Sequence, residues 1–299
     1  MITPPYLQKG DKIAIVSTAR KISETEISAA INYFKNKGFE VVLGNTIGAE
    51  SNQFAGNDEL RVKDFQQFLD DANIKAIVCA RGGYGTMRII DALDFSKFKQ
   101  NPKWIIGYSD VTVLHSHLQH VVGVKSIHAS MPINFVTEGE NEAMKTLHQA
   151  LTGNLKHYEF ENNNSLNKKG NAKAELVGGN LSLIYALQGS VTDINTDGKV
   201  LFLEDLDEYL YHIDRMLLSL KRSGKLSKLK GLIIGGMSDM KDNTIPFGKT
   251  AEEIIFDAVK EYNYPVCFNF PAGHIEQNLA LIMGAEISLT VDEKCSVSF

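Results

Sequence analysis

The sequence predicts an α/β protein of two domains, the first built on a parallel sheet. Three observations lead to this. Strand and helix signals alternate at short spacing through the first half, a polar asparagine-rich stretch interrupts the chain near its middle, and 299 residues fit two domains of about 150 better than one small core.

Taken in order, Lys12 to Ala19 reads as a first strand, and Ser23-Glu24-Thr25-Glu26 is a capping box opening a helix that ends near Gly38. Phe39 to Leu43 is a second strand and Asp58 to Asp71 a second helix. Ile74 to Ala80 is a third strand, nearly all apolar as a buried parallel strand should be. The loop Arg81-Gly82-Gly83-Tyr84-Gly85, a short helix and an apolar strand running into Gly107-Tyr108-Ser109-Asp110 follow. This order implies a parallel sheet with helices on both faces.

From Glu159 to Asn171 the composition turns polar and loses apolar periodicity, the pattern of a linker. The expected division is an N-terminal domain over 1–158, a linker over 159–171 and a C-terminal domain over 172–299. The second half offers a helix from Asn180, a strand Val200 to Leu203, a helix from about Tyr209 to Leu220, and a strand Gly231 to Gly235. A helix Ala251 to Glu261, a strand Val266 to Phe270 and two short terminal strands complete it.

Composition narrows the function. The net charge of −5, with basic residues spread along the chain, argues against a nucleic-acid partner. No run approaches the roughly 20 apolar residues that span a bilayer, and the N-terminus lacks a signal-peptide pattern, so a cytoplasmic location is expected. The three cysteines, Cys79, Cys267 and Cys295, are too far apart in sequence to suggest a disulfide framework or a zinc site.

The chemistry centres on Ser109. An apolar run ending in Gly-Tyr-Ser-Asp and passing into Val111-Thr112-Val113-Leu114-His115 reads as strand, tight turn and helix, which lifts the hydroxyl to the carboxyl edge of a sheet. It is similar to the G-x-S-x-G elbow of α/β-hydrolases, but Val111 stands at the second glycine. A nucleophilic serine needs a base and the base an orienting group. His115, His117 and His120 lie on the helix after the serine, and His115 and His117 point to nearly opposite faces, which suits packing better than metal binding. His128, His148, His157 and His212 have no catalytic neighbourhood in the sequence. His274 sits in a Pro-Gly loop directly after a strand, where function tends to be carried. For the carboxylate, Glu204 and Asp205 both end a buried strand, and either also suits a helix cap. The three glycines after Arg81 let the backbone approach a ligand and offer N–H groups to an anion. The loop does not match G-x-G-x-x-G and follows the third strand, so a dinucleotide cofactor is not expected.

Together, Ala80-Arg81-Gly82-Gly83-Tyr84-Gly85, Gly107-Tyr108-Ser109-Asp110-Val111-Thr112, Gly178-Gly179-Asn180-Leu181, Leu203-Glu204-Asp205 and Gly273-His274, in this order and over nearly the whole chain, resemble the LD-carboxypeptidase family, whose relatives include the microcin C immunity peptidases. The resemblance implies a serine peptidase with Ser109 as nucleophile, His274 as general base and then acid, and Glu204 orienting the imidazole. It also implies an oxyanion hole from the backbone N–H groups of Gly83 and Asp110. An N-terminal domain similar to class I glutamine amidotransferases, a mixed α/β C-terminal domain and an active site at their interface follow from it. The implied substrate is a murein tetrapeptide or related small peptide, cut at the L,D-bond before its terminal D-alanine during cell-wall recycling. No metal or cofactor is implied, and a homodimer is expected because family members are often dimers. An exopeptidase must bind a free carboxylate. Arg81, Arg88 or a lysine near the interface is a candidate for that, with Arg81 and Tyr84 expected to contact substrate.

Two alternatives stay open. One is an immunity-type peptidase acting on acyl-sulfamoyl or acyl-phosphoramidate adenylates; such relatives carry extra aromatic residues for nucleobase stacking, whereas this chain has one tryptophan, Trp104, in a strand. The other is a non-catalytic two-domain binding protein.

Overall fold

The first strand, β1 (Lys12–Val16), is a run of branched residues with Ile13 to Val16 buried, as expected of a strand covered on both faces. It stops three residues short of Ala19, so residues 17–20 form a loop at its carboxyl end. Ser23 and Glu26 do cap one another, through Ser23 N–H to Glu26 Oε2 at 2.8 Å and Glu26 N–H to Ser23 Oγ at 3.3 Å. They set a single 3₁₀ turn, and the helix α1 (Ser28–Asn36) begins only after it. Next come β2 (Glu40–Leu43), then α2 (Asp58–Asp70), capped by Asn57, and β3 (Ile74–Cys79). Beyond the glycine loop lie α3 (Ser96–Gln100), β4 (Trp104–Gly107), α4 (Thr112–His117), β5 (Ser126–His128) and α5 (Glu142–Leu151).

The second half continues with β6 (His157–Glu161), β7 (Gly170–Asn180), α6 (Leu181–Ala186), β8 (Val200–Leu206) and α7 (Leu210–Arg222). Then follow β9 (Gly231–Ser238), α8 (Ala251–Val259), β10 (Val266–Cys267), β11 (Leu281–Met283), β12 (Glu286–Val291) and β13 (Lys294–Ser298). This computed structural model describes residues 1–299.

The strands make two sheets. The first runs β11-β5-β4-β3-β1-β2 and the second β10-β9-β8-β7-β12-β13-β6. The first is parallel from β2 to β5, as expected, but its far edge is the antiparallel β11, contributed from residues 281–283. The second is parallel from β10 to β7 and antiparallel from β7 to β6.

Two expectations therefore need correcting. Residues 159–171 are not an irregular linker throughout: β6 extends through Glu161 and β7 starts at Gly170. In β6, Tyr158 and Phe160 alternate with charged neighbours, and the strand pairs with β13 across more than 130 residues of sequence. Composition alone does not reveal such a long-range partner. Nor does all of 172–299 stay with the second sheet, because Leu281–Met283 crosses to the first.

The two sheets share a core. One hydrophobic cluster reaches from Ile13 and Trp104 to Leu176 and Phe202, all of them buried. At the end of β7, the Asn180 N–H donates to Thr112 Oγ1 at 3.0 Å, docking the second sheet onto the helix that follows Ser109. Cys267 and Cys295 are buried thiols that lie beside one another although 28 residues separate them in sequence.

Candidate active site

Ser109 occupies the turn between β4 and α4 with φ 62°. A serine in this left-handed region costs about 1–2 kcal/mol relative to ordinary backbone, and such strain persists where the surroundings impose it. Gly82 is one source of that constraint. A Cβ there would stand 3.0 Å from Ser109 Cβ and 3.1 Å from its Oγ, so the glycine loop closes directly on the hydroxyl.

The loop is pinned from behind. The buried Asp110 accepts the Thr86 N–H at 2.8 Å, and the buried Arg61 donates to the carbonyls of Thr18 and Gly85 at 2.6 and 3.0 Å. Burial pushes the Asp110 carboxyl pKa upward, against the hydrogen bonds from Thr86. The N–H groups of Gly82 and Gly83 donate to no other backbone or side-chain group, which leaves them free for an anion.

The opposite wall is built from charge. Glu204, fully buried near the end of β8, accepts from His274 twice: from ring Nδ1 at 2.6 Å and from the backbone N–H at 3.1 Å. Only a glycine fits before this histidine, since a Cβ on Gly273 (φ 108°) would lie 2.8 Å from Glu204 Oε2. Asn278 fixes the same loop by accepting the Gly273 N–H at 2.8 Å. The His274 ring packs on Tyr108, with centroids 4.8 Å apart. Burial pulls the His274 pKa down, but the hydrogen bond and charge of Glu204, helped by Asp205, outweigh it and leave the pKa above its ordinary 6.5.

Of Glu204 and Asp205, only Glu204 is hydrogen-bonded to His274. Asp205 Oδ1 accepts from Asn180 Nδ2 at 2.9 Å and its Oδ2 from the Ser182 N–H at 2.9 Å, which commits it to the start of α6. Burial, reinforced by the charge of Glu204, raises its pKa to about 7.

Both walls face one pocket of about 470 Å³, whose lining includes Ser109, Gly82, Gly83, Arg81 and His274. Tyr84 is not in that lining; its ring is half exposed and packs on Phe54 at 6.2 Å. Arg88 is also elsewhere, ion-paired with Asp58 at 2.6 Å. His115 is a structural residue, fully buried between Ser126 Oγ (2.7 Å) and the Gly107 carbonyl (2.9 Å), with its pKa pulled down to about 4 by burial. His128 lies closer to the site than its sequence context suggests: it is buried at 5.0 Å from the Phe202 ring and 5.8 Å from Tyr108, behind His274.

Sequence reasoning missed Arg20, which also lines the pocket, together with Arg61 and Asn278. For Arg20 a signal existed, since it follows a parallel strand at the carboxyl edge where ligands bind. Arg61 and Asn278 act across 24 to 43 and five residues respectively, and no local pattern marks them. A serine, a histidine and a carboxylate arranged this way, beside free backbone N–H groups, have the parts needed for acyl transfer.

Comparison with known proteins places the chain among carboxypeptidases. Residues 13–129 match the model of the LD-carboxypeptidase N-terminal domain and residues 173–289 that of the C-terminal domain. The chain is 31% identical to a probable murein peptide carboxypeptidase of Bacillus subtilis, over 98% of this chain and 93% of that protein. It is 26% identical to a murein tetrapeptide carboxypeptidase of Pseudomonas aeruginosa, over 90% of each. Among solved structures, the muramoyltetrapeptide carboxypeptidase of Oxalobacter formigenes superposes with a TM-score of 0.86 at 27% identity, covering 96% of this chain and 98% of that one. The microcin C7 self immunity protein MccF, in complex with aspartyl sulfamoyl adenosine, superposes with a TM-score of 0.88 at 20% identity, over 100% of this chain and 98% of that one, and at that identity shares the fold alone.

Proposed function

Because the chain belongs to the LD-carboxypeptidase family, we propose that it is a serine-type carboxypeptidase that hydrolyses the L,D-peptide bond before the terminal D-alanine of murein tetrapeptides. The observation that carries the serine mechanism is the buried 2.6 Å contact between Glu204 and His274, on the wall of the pocket that Ser109 also lines. In this reading Ser109 Oγ attacks the scissile carbonyl carbon while His274 Nε2 takes its proton. Glu204 stabilises the imidazolium through Nδ1–H, and the N–H groups of Gly83 and Asp110 hold the oxyanion. His274 then protonates the leaving amine, releasing D-alanine and an acyl-enzyme on Ser109. Water attacks the ester carbonyl with His274 again as base, the Ser109 Oγ–acyl bond breaks as His274 returns that proton to Oγ, and the tripeptide leaves. Neither Ser109 Oγ nor His274 Nε2 is hydrogen-bonded to another protein group without substrate. In this reading substrate binding brings the two within hydrogen-bond reach.

The same reading assigns the nucleophile to an N-terminal unit over 1–158, similar to class I glutamine amidotransferase domains, and His274 and Glu204 to a C-terminal unit over 172–299. The active site then lies at their interface, and the docking of Asn180 on Thr112 supports this arrangement. A cytoplasmic homodimer serving cell-wall recycling completes the proposal; no helix is long and apolar enough to cross a membrane. The test is to incubate the protein with a tetrapeptide ending in D-alanine and with its all-L analogue, and to follow released alanine by mass spectrometry. Release from the D-terminated peptide alone is expected. Release from neither peptide, with hydrolysis of an aminoacyl sulfamoyl adenosine, would move the assignment to the immunity-type chemistry.

A further inference from the structure

The pocket is electrically lopsided in a way the acyl-transfer steps do not use. Asp205, Asp207 and Glu208 line it on the Glu204 side, and Arg20 and Arg81 on the glycine-loop side. Each acid already has a partner: Asp205 has Asn180, Asp207 pairs with Lys241 at 2.6 Å, and Glu208 meets His212 Nδ1 at 2.5 Å.

The cations differ from one another. Arg81 donates from Nη1 to the Lys21 carbonyl at 3.3 Å, while Arg61 and Arg88 both bind Asp58. The Arg20 guanidinium, by contrast, engages no carboxylate and no carbonyl of the protein. Its root is nevertheless held, because its own carbonyl accepts the Ser17 hydroxyl at 2.6 Å and its backbone bridges to Phe54. Its stem crosses Gly83, so closely that a Cβ on Gly83 would overlap Arg20 Cγ and Cδ. The next residue back, Gly82, abuts Ser109 Oγ. A fixed root, an unpaired head and a position one loop residue from the nucleophile describe an anion site built into the pocket.

We propose that Arg20 is the residue that reads the free C-terminal carboxylate of the substrate. This rests on the serine carboxypeptidase reading and deepens it. In such a substrate the carboxylate lies a single residue, roughly 3.8 Å of chain, beyond the scissile carbonyl, so its receptor must border the nucleophile as Arg20 does. The planar guanidinium meets a carboxylate through two parallel hydrogen bonds, a geometry that lysine does not reproduce. The acids on the other wall repel the carboxylate and leave one orientation open. Arg20 and Arg81 also border a second cavity of about 310 Å³, so the bound carboxylate ends the substrate where the two cavities meet. Cleavage is thereby confined to the last peptide bond.

The test compares two peptides on the full-length protein: a tetrapeptide ending in D-alanine as the free acid, and the same peptide as its C-terminal carboxamide. Wild-type kcat/KM should favour the acid by about 100-fold, less than the roughly 10⁴-fold by which a polar site rejects a ligand lacking its partner altogether, because the carboxamide keeps one acceptor oxygen and loses the charge and the second. Arg20→Gln should bring the acid down to the amide's rate and erase the preference, and Arg20→Lys should restore only part of it. Because the side chain is exposed and unpaired, the melting temperature of both variants should match wild type. An acid preference kept intact in Arg20→Gln would overturn the proposal, as would its collapse in Arg81→Gln alone. If wild type cleaves neither peptide, the carboxypeptidase reading itself fails, a result distinct from either of these.

Discussion

The two walls of the pocket fix their side chains by different means. The first-sheet wall is made with backbone: a serine at φ 62°, glycines closing on its hydroxyl, and a loop pinned by Arg61 and Asp110. The second-sheet wall is made with charge, a fully buried Glu204 holding His274 by ring and backbone. Two histidines show what the charge does. His115, given a hydroxyl and a carbonyl as partners, has its pKa pulled down to about 4 by burial, whereas His274, given a carboxylate, rises above 6.5 despite burial. A buried imidazole becomes a base of useful strength only when a buried anion answers it.

Breaking the backbone wall at its centre should have the largest effect. Ser109→Ala is expected to lower kcat by about 10³-fold or more while leaving the fold intact, measured as alanine release alongside a thermal melt. Ser109→Gly should be equally inactive yet more stable by up to about 1 kcal/mol, because relief of the left-handed strain exceeds the entropy that glycine adds to the unfolded chain; a loss of about 0.5 kcal/mol or more, the entropy cost alone, would mean the turn carries no strain.

On the charged wall, Glu204→Gln should cost about 10³- to 10⁴-fold in kcat, the upper figure being that of an amide replacement of the orienting acid in another triad. It removes the carboxylate charge that raises the His274 pKa and leaves burial, which lowers it, so what activity remains should persist to lower pH. Should activity survive at wild-type level, Glu204 is not the orienting group.

A smaller effect comes from the seam between backbone and hydroxyl. Gly82→Ala places a methyl 3.1 Å from Ser109 Oγ, and a displacement of a few tenths of an ångström should lower kcat by about 10-fold with little change in KM. A wild-type kcat in this variant would show that the loop is free to retreat.

The same contrast governs what was legible in the sequence. The turn at Ser109 could be read because strand, turn and helix are contiguous at 104–117, and the Ser23–Glu26 cap and most strands are equally local. Glu204 and Asp205 could not be told apart, since neighbouring strand residues point to opposite faces and only the fold says which face meets His274. The placement of β11 in the first sheet and of β6 beside β13 depends on pairings across roughly 133 to 157 residues, for which composition has no signature. Arg20 escaped notice because what distinguishes it is a missing partner, and a missing partner is visible only in three dimensions.

The pH dependence of kcat/KM on the D-alanine-terminated tetrapeptide, for wild type and Glu204→Gln, tests the account most directly. His274 must be neutral to accept the Ser109 proton, and its pKa lies above the ordinary 6.5, so the acid limb of the wild type should have its midpoint above pH 6.5 and that of the variant should move lower. An acid limb below pH 6.5 in wild type, or one at the same pH in both proteins, would contradict the claim that the buried Glu204 charge tunes His274 as the base for Ser109.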